Sequence, residues 1–153
     1  MVPSLAEINE AERPCLGATG EPALHRSLGL LRQRWAAGCR DRETALRLLF
    51  LCWYGGIEPP FLTGIDGVPD GPELCEQAYA SLGGSACQDP EVCYVVKLMI
   101  ELCPWCLGDP EHWAAIGPPE ASDAYRSQVS AASFADRGAY GEYFTCMLTG
   151  VGS

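Results

Sequence analysis

The chain has 153 residues, 48% apolar and 20% charged, with a formal net charge of −10. That length is enough for one domain with a real core, and that balance excludes an intrinsically disordered chain. The negative charge also argues against nucleic acid as a partner, because neutralising phosphates takes clustered Lys and Arg.

The charge is divided unevenly: residues 1–57 sum to +1 and residues 58–153 to −11. The opening Met1-Val2-Pro3-Ser4-Leu5-Ala6-Glu7 has neither the basic nor the apolar region of a secretory signal. The longest purely apolar run, Leu48 to Tyr54, is far short of the ~18 residues that suggest a membrane span. The expectation is a cytoplasmic protein with no membrane partner. Nine Arg against one Lys (Lys97), with plentiful Ala, Gly and Pro, reads as a GC-rich coding bias and points to a bacterial source.

Residues 1–20 are polar and broken by Pro and Gly, and read as a loosely ordered arm ahead of one helical domain over 21–150. From Pro22 to Ala37, Leu24, Leu28, Leu31 and Trp35 recur at helical spacing, opposite His25, Arg26, Arg32 and Gln33. Gly38 ends that helix, and Asp41 caps the next, which runs to about Tyr54. Its apolar residues cover most of the circumference, so it must be nearly buried. The basic stretch Arg26 to Arg47 reads as a solvated face or as the counterpart of the acidic half, with a partner surface as the alternative.

Gly55 to Gly71 is too rich in Gly and Pro for a helix of ordinary length and reads as a long loop. It carries Phe61, Leu62 and Ile65, so it is either a crossover pinned to the core by those side chains or a binding loop. A short helix follows over Pro72 to Leu82. Asp89-Pro90-Glu91 is a strong helix start, and Val92, Val95, Val96, Met99, Ile100 and Cys103 then recur on one face of the candidate central helix. Lys97 and Glu101 are placed to pair on its remaining polar surface. Asp109-Pro110-Glu111 repeats the start signal for a helix through Ile116. Pro118-Pro119-Glu120 opens another to about Ser133, and Tyr140, Tyr143, Phe144, Met147 and Leu148 mark the last. No segment sustains two-residue alternation. The chain reads as all-α, a single-domain irregular bundle of six to seven helices.

Nine cysteines stand at 15, 39, 52, 75, 87, 93, 103, 106 and 146. An odd number at irregular spacing, without an export signal, argues against a disulfide framework and for reduced thiols packed as small hydrophobes. Cys103-Pro104-Trp105-Cys106 is the feature that could carry chemistry. Its spacing suits a redox pair, and its Pro-Trp dipeptide looks like that of glutaredoxins. The context differs, because Cys103 precedes proline and so ends a helix, and the negative end of a helix disfavours thiolate. Glu101, Cys103, Cys106 and His112 together resemble the Glu, C-x-x-C and downstream His of the alkylhydroperoxidase-D-like proteins. The resemblance covers about a dozen residues. It implies a helical thiol–disulfide oxidoreductase with His112 or Glu101 as proton relay, although the spacing after Cys106 is longer here and the cysteines do not open a helix. A zinc site is the other alternative: Cys103, Cys106 and His112 with Cys93 or Cys87 would make a legal tetrahedral set, but a second close pair is missing.

His25 reads as solvated, and Asp66, Asp70 and Glu73 do not fit a calcium loop. No complete catalytic constellation emerges, and no cofactor is implied. The sequence therefore favours a non-catalytic module that binds another protein, one with a basic surface, as an inhibitor, immunity-type or adaptor protein. The candidate contacts are Phe61 and Leu62, with the acids Asp66, Asp70, Asp109, Glu111 and Glu120.

Overall fold

The computed structural model describes residues 1–150. It is all-helical, with nine α-helices and no strand among the described residues. They are α1 (Leu5–Glu12), α2 (Leu24–Ala36), α3 (Arg42–Ile57), α4 (Pro60–Thr63), α5 (Gly71–Ser81), α6 (Pro90–Leu102), α7 (Pro110–Ile116), α8 (Ser122–Arg126) and α9 (Gly138–Thr149). None is long and apolar enough to cross a membrane.

The centre of the bundle is α3 rather than α6. Every residue from Thr44 to Trp53 is buried, and α2, α5 and α9 pack around it. The expected start of α3 is present: the Asp41 carboxylate accepts the Thr44 N–H at 3.0 Å. On α6, Asp89 caps in the same way, accepting from Glu91 N at 3.0 Å with Pro90 at the first helical position.

Several segments depart from the sequence expectation. Residues 1–20 do not form a loose arm throughout. Ser4 and Glu7 make a reciprocal capping box that starts α1, and Ile8 and Glu12 are buried beneath it. The 55–71 loop is shorter than its Gly and Pro content suggests, because α3 continues through Gly55 and Gly56 to Ile57 and Pro60–Thr63 forms a helical turn. Those two glycines stay helical because neighbours pack directly on the backbone. A Cβ at Gly55 would meet Ile65 Cγ2 at 2.8 Å, and one at Gly56 would meet Cys106 Sγ at 3.2 Å. The stretch 118–133 is not one helix: α8 ends at Arg126 and a separate 3₁₀ turn forms at Ala131–Phe134. Ser127 Oγ donates back to Ala124 O, and Ser130 Oγ accepts from Ala132 N, the local bonding by which serine competes with helix continuation. Nor do Lys97 and Glu101 pair with each other. Lys97 Nζ donates to Pro118 O at 3.1 Å, and Glu101 accepts from Ser122 N and Oγ at 3.0 and 2.5 Å.

A charged network ties α1, α3, α6 and the start of α9. Arg47 on α3 is 2% exposed at its side chain and donates to Glu12 Oε1 at 2.8 Å and to Asn9 Oδ1 at 2.6 Å. Glu12 Oε1 also accepts the Ala139 N–H at 2.9 Å. Gly138 holds φ +64 there, and any Cβ would fall on the Glu12 carboxylate. Arg137 lies between Glu43 at 2.6 Å and Glu91 at 2.8 Å. Tyr140 Oη donates to Glu91 Oε2 at 2.8 Å, and Arg42 reaches Asp89 at 2.7 Å. Arg32 meanwhile holds Asp70 through both carboxylate oxygens, at 2.6 and 2.7 Å. The basic stretch of α2 and α3 is thus largely consumed inside the molecule.

Removing one partner from a buried pair leaves an uncompensated charge, which costs about 3–5 kcal/mol. Arg47→Met should therefore lower the urea-unfolding free energy by about that amount, whereas Arg47→Met combined with Glu12→Leu should recover much of it. An additive loss in the double variant would contradict the pairing. The network also fixes an acid response. Burial pushes the Glu91 carboxyl up, but hydrogen bonds from Arg137 and Tyr140 and the charges of Arg137 and Arg42 outweigh it and hold it below its usual 4.5. The Arg42 hydrogen bond holds Asp89 below its usual 3.8. Depressed carboxyls stabilise the fold above the unfolded-state pKa and lose that contribution as pH falls through the folded one. The unfolding midpoint should therefore be flat between neutral pH and pH about 5 and drop below about 4.5, with a shallower drop in Arg137→Met.

Candidate functional site

The Cys-Pro-Trp-Cys segment leaves the carbonyl end of α6 as a 3₁₀ turn over Pro104–Cys106. Pro104 stops α6, and Cys103 leaves helical geometry at φ −158 and ψ 77 while its N–H still bonds Met99 O at 2.9 Å. The buried indole of Trp53 donates to Cys103 O at 3.1 Å and fixes the turn against α3. Residues three apart fall on the same side of a 3₁₀ turn, so both cysteines face α3 and Trp105 faces out. Cys103 is 6% exposed and Trp105 68%. Burial, followed by the adjacent Cys103 thiol, pushes the Cys106 thiol up to about 12. The thiolate that exchange chemistry requires is thereby suppressed.

The other members of the redox and zinc alternatives do not gather around this pair. Glu101 is occupied by Ser122 at the start of α8. His112 Nε2 sits 2.6 Å from Glu76 Oε1, an exposed contact between α7 and α5. Cys93, in the first turn of α6, points its sulfur at Cys87 O, 3.4 Å away, and burial raises its pKa. Among the described residues, no three His, Cys, Asp or Glu side chains are grouped as metal ligands.

The candidate contact residues divide in two. Phe61 and Leu62, on the single turn of α4, are 77% and 55% exposed. The residues that pin this segment are instead Ile65, buried against Gly55, and Thr63, whose Oγ1 accepts Ile65 N at 3.1 Å. Asp66, Glu111 and Glu120 are exposed and have no ion-pair partner among the described residues. Asp109 caps α7, accepting Glu111 N at 3.2 Å. Asp70 is closed on Arg32 and cannot reach outward as a free acid.

Two features escape the linear pattern. One is a second exposed apolar pair, Leu102 at 45% and Trp105 at 68%. Leu102 continues the apolar periodicity of α6, but α6 ends there. The outward position of Trp105 could have been read from the three-residue spacing of the inward cysteines. The other feature is a cleft of ≈ 290 Å³ between the 15–20 loop, α3 and α9, walled in part by Tyr54, Tyr143, Glu142 and Leu62. Only the tertiary fold brings those residues together.

The chain matches no known family model, no curated protein and no solved structure.

In the folded protein at neutral pH, iodoacetamide should modify Cys106 at least about a hundredfold more slowly than an unperturbed thiol, because so little thiolate is present. Peptide-resolved mass spectrometry should show that rate climbing with pH and reaching the ordinary value on denaturation. Rapid modification of native Cys106 at pH 7 would refute the buried, protonated state.

Proposed function

We propose that this protein is a non-catalytic interaction module that binds another protein with a basic surface, as an inhibitor, immunity-type or adaptor protein of the bacterial cytoplasm. One observation carries the reading. Apart from Met1 and Val2 at the amino terminus, four large apolar side chains are exposed among the described residues: Phe61, Leu62, Leu102 and Trp105. They come in two pairs, and both pairs flank the last turns of α3. The α4 turn follows α3 directly, and the Cys106 turn packs on Gly56. Exposed aromatics grouped beside charged residues are the usual anchors of an interface.

Charge supports the nature of the partner. The acids Asp66, Glu111 and Glu120 are exposed and have no ion-pair partner among the described residues, while much of the basic set is paired inside the fold. A surface of that kind steers toward a basic partner and repels an acidic one. The state of the Cys106 thiol weighs against the thiol oxidoreductase reading.

Phe61→Ser and Trp105→Ser test this directly. Both side chains are exposed, so thermal stability should move by no more than about 0.5 kcal/mol. Binding to a partner captured from the native host should weaken by about 2 kcal/mol, roughly 30-fold, at whichever position is an anchor. Binding should also weaken with added salt. A partner held equally well by both variants, with no salt dependence, would exclude this surface.

A further inference from the structure

The cleft beside α4 is an aromatic and acidic enclosure with no Lys, Arg or His among its described lining residues. Tyr54 and Tyr143 meet edge to face, with centroids 5.6 Å apart and planes at 66°. Tyr54 stacks on Phe50 at 5.0 Å and 19°, and Tyr143 also packs against Phe50 at 5.4 Å and Trp53 at 5.8 Å. The two rings are therefore held by the core and are only half-buried themselves. Neither phenol oxygen hydrogen-bonds to a described residue, in contrast to those of Tyr79 and Tyr140. Leu62, more than half exposed, forms the rim on the α4 side.

Two carboxylates act on these rings, Glu142 from the wall of the cleft and Glu58 through its charge. Glu142 lines the cleft, and both its oxygens accept the Gly17 N–H at 3.0 Å. Glu58 caps the end of α3 one turn beyond Tyr54. Burial raises the Tyr54 phenol, and the charges of Glu58 and Glu142 raise it further. Burial also raises Tyr143, to about 12, with Tyr54 and Glu58 adding to it. Neither carboxylate has an ion-pair partner among the described residues. Arg26 acts by its charge on Cys15, another lining residue, where Glu21 opposes it.

We propose that this cleft receives an arginine side chain of the partner, packed between the Tyr54 and Tyr143 rings and paired with Glu142 in the field of Glu58, with an apolar neighbour of that arginine lying on Leu62 and Phe61. A guanidinium suits the enclosure for three reasons. It is planar and stacks on aromatic faces, it presents several donors to carboxylates, and it sheds water more readily than an ammonium. The volume of ≈ 290 Å³ accommodates one such side chain. This inference rests on the interaction-module reading and specifies where its partner docks.

The probe is acetyl-Leu-Arg-Leu-amide, with the citrulline peptide as its neutral, near-isosteric control. In NMR titrations of the full chain, the arginine peptide should shift Tyr54, Tyr143 and Glu142 saturably. The citrulline peptide should bind at least about tenfold more weakly, as should the arginine peptide to Glu58→Gln/Glu142→Gln. The Gln at 142 keeps an acceptor for Gly17, and an unchanged spectrum outside the cleft verifies the fold. Equal binding of both peptides, shifts confined to other acids, or undiminished binding to the double variant would each overturn the inference. The two readings fail separately. If a captured partner depends on Phe61 or Trp105 but ignores Glu58 and Glu142, the arginine site falls and the module stands. If the arginine peptide fills the cleft while partner capture ignores Phe61 and Trp105, the site stands and the proposed apolar interface falls.

Discussion

Everything in this bundle is registered by the buried ion pair between Arg47 and Glu12. Two charges at 2% and 1% side-chain exposure pair at 2.8 Å, with Arg47 Nε left without a hydrogen-bond partner among the described residues. The same carboxylate holds the first turn of α9 through Ala139 N, and Glu43, one turn before Arg47 on α3, shares Arg137 with Glu91 of α6. Four helices that share little sequence proximity are thereby locked in one relative arrangement. Apolar packing alone would tolerate sliding, whereas a buried charge tolerates very little. Gly138 belongs to this constraint, since a side chain there would displace the carboxylate.

A second set of pins works at the helix ends. The indole of Trp53 bonds Cys103 O, that of Trp113 bonds Leu107 O, and Tyr79 Oη bonds Ile116 O. Each buried aromatic satisfies its own polar tip by donating to a carbonyl at or just beyond a helix end. These bonds hold the Cys-Pro-Trp-Cys turn rigidly against α3. The pair is seated by structure, with its sulfurs inward and its tryptophan outward, in surroundings that keep Cys106 protonated.

The consequence for function is geometric. The apolar pair on α4, the apolar pair around Trp105 and the tyrosine cleft all lie around the last turns of α3. That is where the close approach of Ile65 to Gly55 and of Cys106 to Gly56 packs two loops tightly onto one helix. A rigid base with exposed aromatics is suited to binding, because little conformational entropy is lost on association. Glu58 and Glu142 at this end have no ion-pair partner among the described residues, unlike Glu12 and Glu43 of the charged network.

The sequence by itself determined the helical class, the caps at Asp41, Asp89 and Asp109, and the burial of α3, because these follow from local periodicity and from side chains bonding to their own backbone. It also placed Phe61 and Leu62 among candidate contacts, although composition could not say that Ile65 and Thr63, not they, hold the segment down. Tertiary structure alone decided the rest. Glycine at 55 and 56 reads as a helix breaker until the side chains pressed against it are known, and the polar 1–20 stretch reads as an arm until Glu12 meets Arg47. His112 stands only six residues after Cys106, yet it is turned toward Glu76 by the packing of α7 on α5. Tyr54 and Tyr143 become walls of one cleft through contacts 89 residues apart in the chain, a proximity that no local pattern encodes.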